Sequence, residues 1–126
     1  MIPRFILSAL KGEDLTIFGD GDQTRSFLYV DDWVDATWKL LNYPNLSGEV
    51  FNVGSESEIT VNSLAKMVID LTGGHSKIVH LEPRVDDPFR RSADITKIKN
   101  RLNWEPRTSL KNGLDKTIQW IRENYL

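Results

Sequence analysis

Arginines carry the most pointed chemistry in this sequence. Arg84, Arg90 and Arg91 crowd into the charged, proline-containing stretch 83–92, and Arg25 stands inside Arg25-Ser26-Phe27-Leu28-Tyr29-Val30, an otherwise apolar strand pattern. Guanidinium groups present forked donors that match phosphate oxygens, and loops often carry such groups. The cluster reads in two ways, as a phosphate clamp or as a solvated loop balanced by Asp86, Asp87 and Asp94. Arg25 needs an anionic partner if it is buried, and side-chain chemistry alone favours a protein carboxylate over a ligand.

Other chemical groups are weaker. Gly19-Asp20-Gly21 follows a strand-like run, but Thr24 stands where a dinucleotide fingerprint needs its third glycine, and a strand pattern follows instead of a helix. A hairpin-like turn is the expected reading. Asp20 with Asp22, and Asp86 with Asp87, lack the glycine and glutamate spacing of a calcium loop and read as turn carboxylates. His75 and His80 have no partner at metal-ligand spacing, and no metal site is expected.

The elements that must position these groups follow from periodicity. Phe5, Ile6, Ala9 and Leu10 share one helical face, with Gly12 suited to the stop. Leu15-Thr16-Ile17-Phe18 and residues 25–30 read as strands, and Asp31 or Asp32 is a candidate cap for a helix carrying Trp33, Val34, Trp38 and Leu41. A third strand is expected over residues 49–54. Thr60 caps a helix with Val61, Leu64, Ala65, Val68 and Leu71, ending at Gly73-Gly74. Residues 77–81 form a fourth strand, Asp94 opens a short helix, and Ser109 opens a last one whose stripe runs Leu110, Leu114, Ile118, Ile121, Tyr125. The class is α/β, with strands and helices mixed.

Composition bounds the partners. The chain has 126 residues, 40% hydrophobic and 27% charged, with a net charge of −2. That balance leaves no excess of basic side chains to displace counterions from nucleic acid. No apolar run approaches the roughly 18 residues of a membrane span. Cysteine is absent, which removes disulfides and thiolate chemistry and fits a cytoplasmic protein.

Three stretches together resemble the extended short-chain dehydrogenase/reductase family acting on nucleotide sugars. They are residues 15–32, containing Phe18-Gly19-Asp20-Gly21 and Gln23-Thr24-Arg25-Ser26-Phe27; then Phe51-Asn52-Val53-Gly54-Ser55 with Ile59-Thr60-Val61; then Asp86-Asp87-Pro88, Arg90-Arg91-Ser92-Ala93-Asp94-Ile95 and Leu102-Asn103-Trp104-Glu105-Pro106. The pattern looks most like UDP-glucuronate decarboxylases, with dTDP-glucose 4,6-dehydratases and UDP-glucose 4-epimerases similar.

The resemblance implies that residues 1–126 are a single domain: the C-terminal substrate-binding region of such an enzyme, with a small mixed sheet, about five helices and the Rossmann half absent. It implies that Arg25 contacts the diphosphate of a UDP- or dTDP-sugar. A second contact comes from Arg84, at the epimerase and dehydratase placement, or from Arg91, at the decarboxylase placement. The strand holding Ile17 and Phe18 lies beside the base.

NAD is the cofactor the resemblance implies for a complete enzyme, with none expected on this chain. The family's base pair is a tyrosine four positions before a lysine. Here Tyr29 is followed at that distance by Trp33, Tyr43 by Ser47, and Tyr125 has no room. No catalytic residue is therefore expected, and the chain alone is expected to be inactive. Its expected partners are an N-terminal Rossmann half and further copies of itself. The alternative is a stand-alone nucleotide-sugar-binding or interaction module without catalysis.

Overall fold

The computed structural model describes residues 1–126. The chain opens with helix α1 (Ile2–Leu10), which buries Phe5, Ile6 and Ala9 and stops before Gly12, where φ is +72°. Strand β1 (Leu15–Phe18) alternates buried Leu15 and Ile17 with half-buried Thr16 and Phe18. Strand β2 (Thr24–Ser26) is followed by helix α2 (Val30–Asn42), strand β3 (Glu58–Thr60) and helix α3 (Val61–Thr72). Strands β4 (Ile78–Leu81) and β5 (Arg90–Arg91), then helices α4 (Thr96–Leu102) and α5 (Leu110–Tyr125), complete the order.

Five helices and short strands confirm the mixed α/β class. The one small sheet expected is two: β1 pairs in parallel with β4, and β2 lies between antiparallel β3 and parallel β5. The turn at residues 19–22 is therefore no hairpin, because β1 and β2 belong to different sheets. Gly19 and Gly21 both take φ of +80°, the left-handed conformation that lets the chain change sheets there.

Local signals placed the helices well. The Thr60 hydroxyl accepts from Ser63 N, Gly73 adopts the left-handed cap at φ +68°, and the Ser109 hydroxyl accepts from Asn112 N. Helix α2 differs from expectation. Its cap is Tyr29, with no side-chain bond. Asp32 is buried at 7% exposure, and its two carboxylate oxygens accept Arg107 N (3.2 Å) and Thr108 N (2.9 Å), tying the first turn of α2 to the loop before α5.

Two cores result. The larger packs α1, α3 and α5 over β1 through Phe5, Ile17, Leu64, Leu114 and Ile118; the smaller gathers Ala36, Ile95, Ile98, Leu102 and Trp104. Indole N–H of Trp104 donates to the Asp35 carboxylate at 3.0 Å, so this buried ring keeps its polar atom satisfied. Tyr125, expected on the stripe of α5, is exposed instead, its ring tilted 60° against that of Trp120.

The strand expected over residues 49–54 does not form. Phe51 and Val53 pack against the smaller core, but no strand pairs with their backbone: residues 93–97 lie alongside and meet this segment through side chains, Asn52 donating to the Asp94 carbonyl (3.2 Å) and Lys97 to the Val50 carbonyl (2.8 Å), and Val50 is exposed. Nearby, the outward face of α2 shows Trp33, Val34, Trp38 (67% exposed) and Leu41 (76% exposed) to solvent. Soluble monomers rarely group large apolar side chains in the open in this way. No helix is long and apolar enough to cross a membrane.

Candidate functional site

Arg25 occupies the middle strand of the three-stranded sheet and is 8% exposed. Its Nη1 donates to the Thr24 carbonyl at 2.6 Å and the Phe89 carbonyl at 3.4 Å, and its Nη2 pairs with the Asp87 carboxylate at 2.6 Å. The protein carboxylate that a buried arginine requires is thus supplied by the chain itself. Register pairing sets Arg91 of β5 directly beside Arg25. Strand β5, unforeseen in the sequence, exists because its two residues complete the outer ladder of β2.

The five residues that the resemblance set beside the ligand meet at one place. Ile17, Phe18, Arg25, Arg84 and Arg91 line a single cavity of about 320 Å³. That volume lies at the lower end of small-molecule sites. Ile17 is 1% exposed and forms the floor, whereas Phe18 is half-buried. The Arg84 guanidinium lies over this ring, 4.0 Å from its centroid. Arg90 is elsewhere: its Nε pairs with Glu58 at 2.7 Å, and it borders a different hollow.

Two participants escaped the sequence reading. Arg4, from the first turn of α1, lines the cavity, donates to the Thr16 carbonyl at 3.0 Å and stands 5.6 Å from the Phe18 centroid. Gln23 donates from Nε2 to the Phe18 carbonyl at 2.8 Å. The only available signal for Arg4 was its place on the non-core side of an amphipathic helix, which does not say which strand that helix lies beside. With Arg4 included, the wall holds four arginines against one carboxylate, Asp87, in a chain of net charge −2. Such a concentration of donors selects for anions.

The other groups weighed from the sequence are engaged structurally. Asp20 accepts Asp22 N at 2.9 Å, and Asn62 donates to the Asp20 carbonyl at 2.8 Å and to the Asp22 carboxylate at 3.3 Å. His80 shares a hydrogen bond of 3.0 Å with Asn62, and His75 is exposed. The turn at Gly19-Asp20-Gly21 does not fit a dinucleotide. The Asn62 side chain fills the space beside Gly21 where a pyrophosphate would approach, and a strand follows in place of a helix N-terminus. A second cavity of about 490 Å³, bordered by Glu56, Glu58, Glu105 and Arg107, lacks the arginine grouping.

Several carboxylates are held below their ordinary range by neighbouring donors. Glu49 is lowered by hydrogen bonds from Lys97 and then Arg101, Glu58 by Arg90, and Glu105 by Lys99. Asp94 is lowered by the Thr96 side-chain and backbone donors. None of these lies among the five cavity residues, so they bear on stability.

The sequence model describing GDP-mannose 4,6 dehydratase matches residues 1–117. The chain is 42% identical over 129 residues to UDP-N-acetyl-alpha-D-glucosaminuronate decarboxylase of Bacillus cytotoxicus, covering 98% of this chain and 40% of that protein. It is 44% identical over 121 residues to UDP-glucuronic acid decarboxylase 1 of Danio rerio, covering 96% of this chain and 28% of that one. Among solved structures, UDP-glucose 4-epimerase of Thermotoga maritima with UDP-glucose superposes at a TM-score of 0.92 and 37% identity, over 99% of this chain and 40% of the epimerase. UDP-glucuronic acid 4-epimerase of Bacillus cereus, in complex with UDP-glucuronic acid and NAD, gives 0.92 and 32%, over 98% and 40%. The chain thus spans two-fifths or less of the length of these curated relatives.

Proposed function

The chain belongs to the GDP-mannose 4,6 dehydratase family of extended short-chain dehydrogenases, and from that premise we propose that it is the nucleotide-sugar-recognising portion of an NAD-dependent decarboxylase, epimerase or dehydratase. Arg25 and Arg91, side by side across β2 and β5, grip the diphosphate. The base lies beside β1 against Phe18 over the Ile17 floor, and Arg84 reaches the ligand from above the ring. One observation carries this reading. Residues chosen from distant stretches of sequence line one cavity whose wall is four arginines to one carboxylate.

Hydride chemistry needs a cofactor that the fold must hold in place. In this reading the NAD site and the reacting tyrosine and lysine come from the length of polypeptide that the relatives possess outside the region matched here. That portion also covers the apolar face of α2 and pairs with residues 50–53; in its absence, a second copy of this chain takes its place. Among the reactions, decarboxylation of a UDP-uronate is favoured by the position of Arg91 and by the Gln23-Thr24-Arg25-Ser26-Phe27 run.

Calorimetric titration with UDP and UDP-glucuronate tests the reading. Saturable binding of both is expected, and inorganic phosphate alone should bind much more weakly. Absence of any saturable heat with UDP sinks it. Mixing the chain with a separately expressed N-terminal half of a relative, then assaying NAD-dependent turnover of UDP-glucuronate, tests the division of labour.

A further inference from the structure

Three arginines gather around β5, and the chain holds each of them differently. Arg25 pairs with Asp87 at 2.6 Å and Arg90 with Glu58 at 2.7 Å. Arg91 enters no ion pair, so its place beside Arg25 is set by its backbone. On the N-terminal side that backbone is anchored: Thr24 N donates to the Phe89 carbonyl at 2.9 Å, and the ladder with β2 covers Arg90 and Arg91. On the C-terminal side the ladder stops at Arg91, and the next buried residue is Ile95, 2% exposed in the smaller core. Between them stands Ala93. It packs against Gly54, where a Cβ would lie 2.5 Å from the Ala93 Cβ and 3.9 Å from its Cα. Carbon atoms rest at about 3.5–4.0 Å, so no side chain fits at residue 54 while Ala93 stays in place. Gly54 has no left-handed φ, and space alone requires the glycine.

The two segments are tied again nearby, by Asn52 on the Asp94 carbonyl (3.2 Å) and Lys97 on the Val50 carbonyl (2.8 Å). Phe51 and Val53 hold residues 51–54 in the smaller core by large side chains, whereas Ala93 reaches it with one methyl. A group added at residue 54 therefore displaces Ala93 and, two residues back, Arg91. We infer that Gly54 is a positioning residue for the anion site: its missing side chain lets Ala93 close down, which fixes Arg91 beside Arg25. Gly54 lies outside the cavity and acts only through that arginine. This role rests on the proposed diphosphate grip, and it names what sets one half of that grip. The segment proposed to pair with the remaining polypeptide thus ends at the contact that places Arg91.

Exchanging the two residues tests this role. Gly54→Ala forces the segments apart, and Ala93→Gly leaves a gap of one methyl. Together they move that methyl across the same contact, to an ordinary 3.9 Å from the Cα of residue 93. UDP is titrated calorimetrically into the unmodified chain, both single variants, the double variant, Arg91→Ala, and Arg91→Ala combined with Gly54→Ala. Thermal melting gives the folded fraction of each. Gly54→Ala should weaken UDP binding about five- to tenfold and Ala93→Gly about three- to fivefold, with the double variant back within about twofold of the unmodified chain. Arg91→Ala should weaken it about tenfold, and adding Gly54→Ala to that variant should change affinity by less than about twofold. A merely structural Gly54 gives lower melting with unchanged affinity of the folded fraction, or a loss that adds to that of Arg91→Ala. Either result overturns the inference. If Gly54→Ala does not fold, the double variant against Ala93→Gly decides, and a double variant that binds no better than Ala93→Gly overturns it. No UDP binding by the unmodified chain, or unchanged binding by Arg91→Ala, strikes earlier, at the diphosphate grip, and takes this inference with it.

Discussion

Removing Arg25 separates a ligand-binding role from a structural one, provided that its partner is varied too. Of the roughly five N–H donors on a guanidinium, Arg25 uses three on the Thr24 carbonyl, the Phe89 carbonyl and Asp87, leaving about two for a ligand. One charge-assisted bond contributes about 1.5–3 kcal/mol, so Arg25→Ala should weaken UDP binding by about ten- to a hundredfold. Asp87→Asn acts in the other direction. A pyrophosphate held by the same guanidinium is repelled by the Asp87 carboxylate, and at a solvent-like dielectric with salt screening such repulsion amounts to about 0.5–1 kcal/mol. Removing that charge should tighten UDP binding by about two- to fivefold.

Stability moves differently. The Asp87 side chain is 37% exposed, so breaking the pair from either side should cost about 1–3 kcal/mol, less than for a fully buried pair. The assay is calorimetry with UDP on both variants, alongside urea denaturation. A purely structural Arg25 predicts two destabilised variants whose folded fraction binds UDP as before. Affinity of Arg25→Ala within about twofold of the unmodified chain would refute the ligand role. Weakening by Asp87→Asn as large as that of Arg25→Ala would refute the charge reasoning.

Three further outcomes are expected. Asp32→Ala leaves the Arg107 and Thr108 N–H groups without their acceptor and should cost about 2–4 kcal/mol in urea denaturation; a loss below about 1 kcal/mol would mean that water replaces the carboxylate. Glu49 and Glu58 titrate below their ordinary 4.5 when folded, because of Lys97 with Arg101 and of Arg90. Their contribution is complete above the unfolded value and is lost as pH falls through the folded one. The urea midpoint should therefore decline below pH 4.5, less steeply in Glu49→Gln, and identical acid limbs in the two proteins would count against the pairing. Trp38→Glu on the outward face of α2 should lower the mass seen by light scattering at high concentration without lowering the melting temperature; an unmodified chain that is monomeric throughout would remove the proposed self-association.

Helices α1, α3 and α5 were legible because helix information is short-range. Phe5, Ile6 and Ala9 recur within a turn, and a cap such as Thr60 meets Ser63 three residues on. Strand β1 was legible for a similar reason, its alternation being written in four residues. Residues 49–54 misled for the opposite reason: a strand requires a backbone partner in register, and residues 93–97 meet this segment through side-chain bonds instead. Asp32 misled because a carboxylate that could cap its own helix bonds the backbone of Arg107 and Thr108 instead.

By itself, then, the sequence determined the α/β class, both ends of α3, the start of α5 and the set of arginines and apolar residues worth watching. Tertiary structure alone decided which of them meet. It set Arg91 beside Arg25 through a two-residue strand, sent Arg90 to Glu58, stacked Arg84 on Phe18 and brought in Arg4. The physical reason is distance along the chain. Arg25 and Asp87 are 62 residues apart, and a pairing over that span depends on how every intervening element packs.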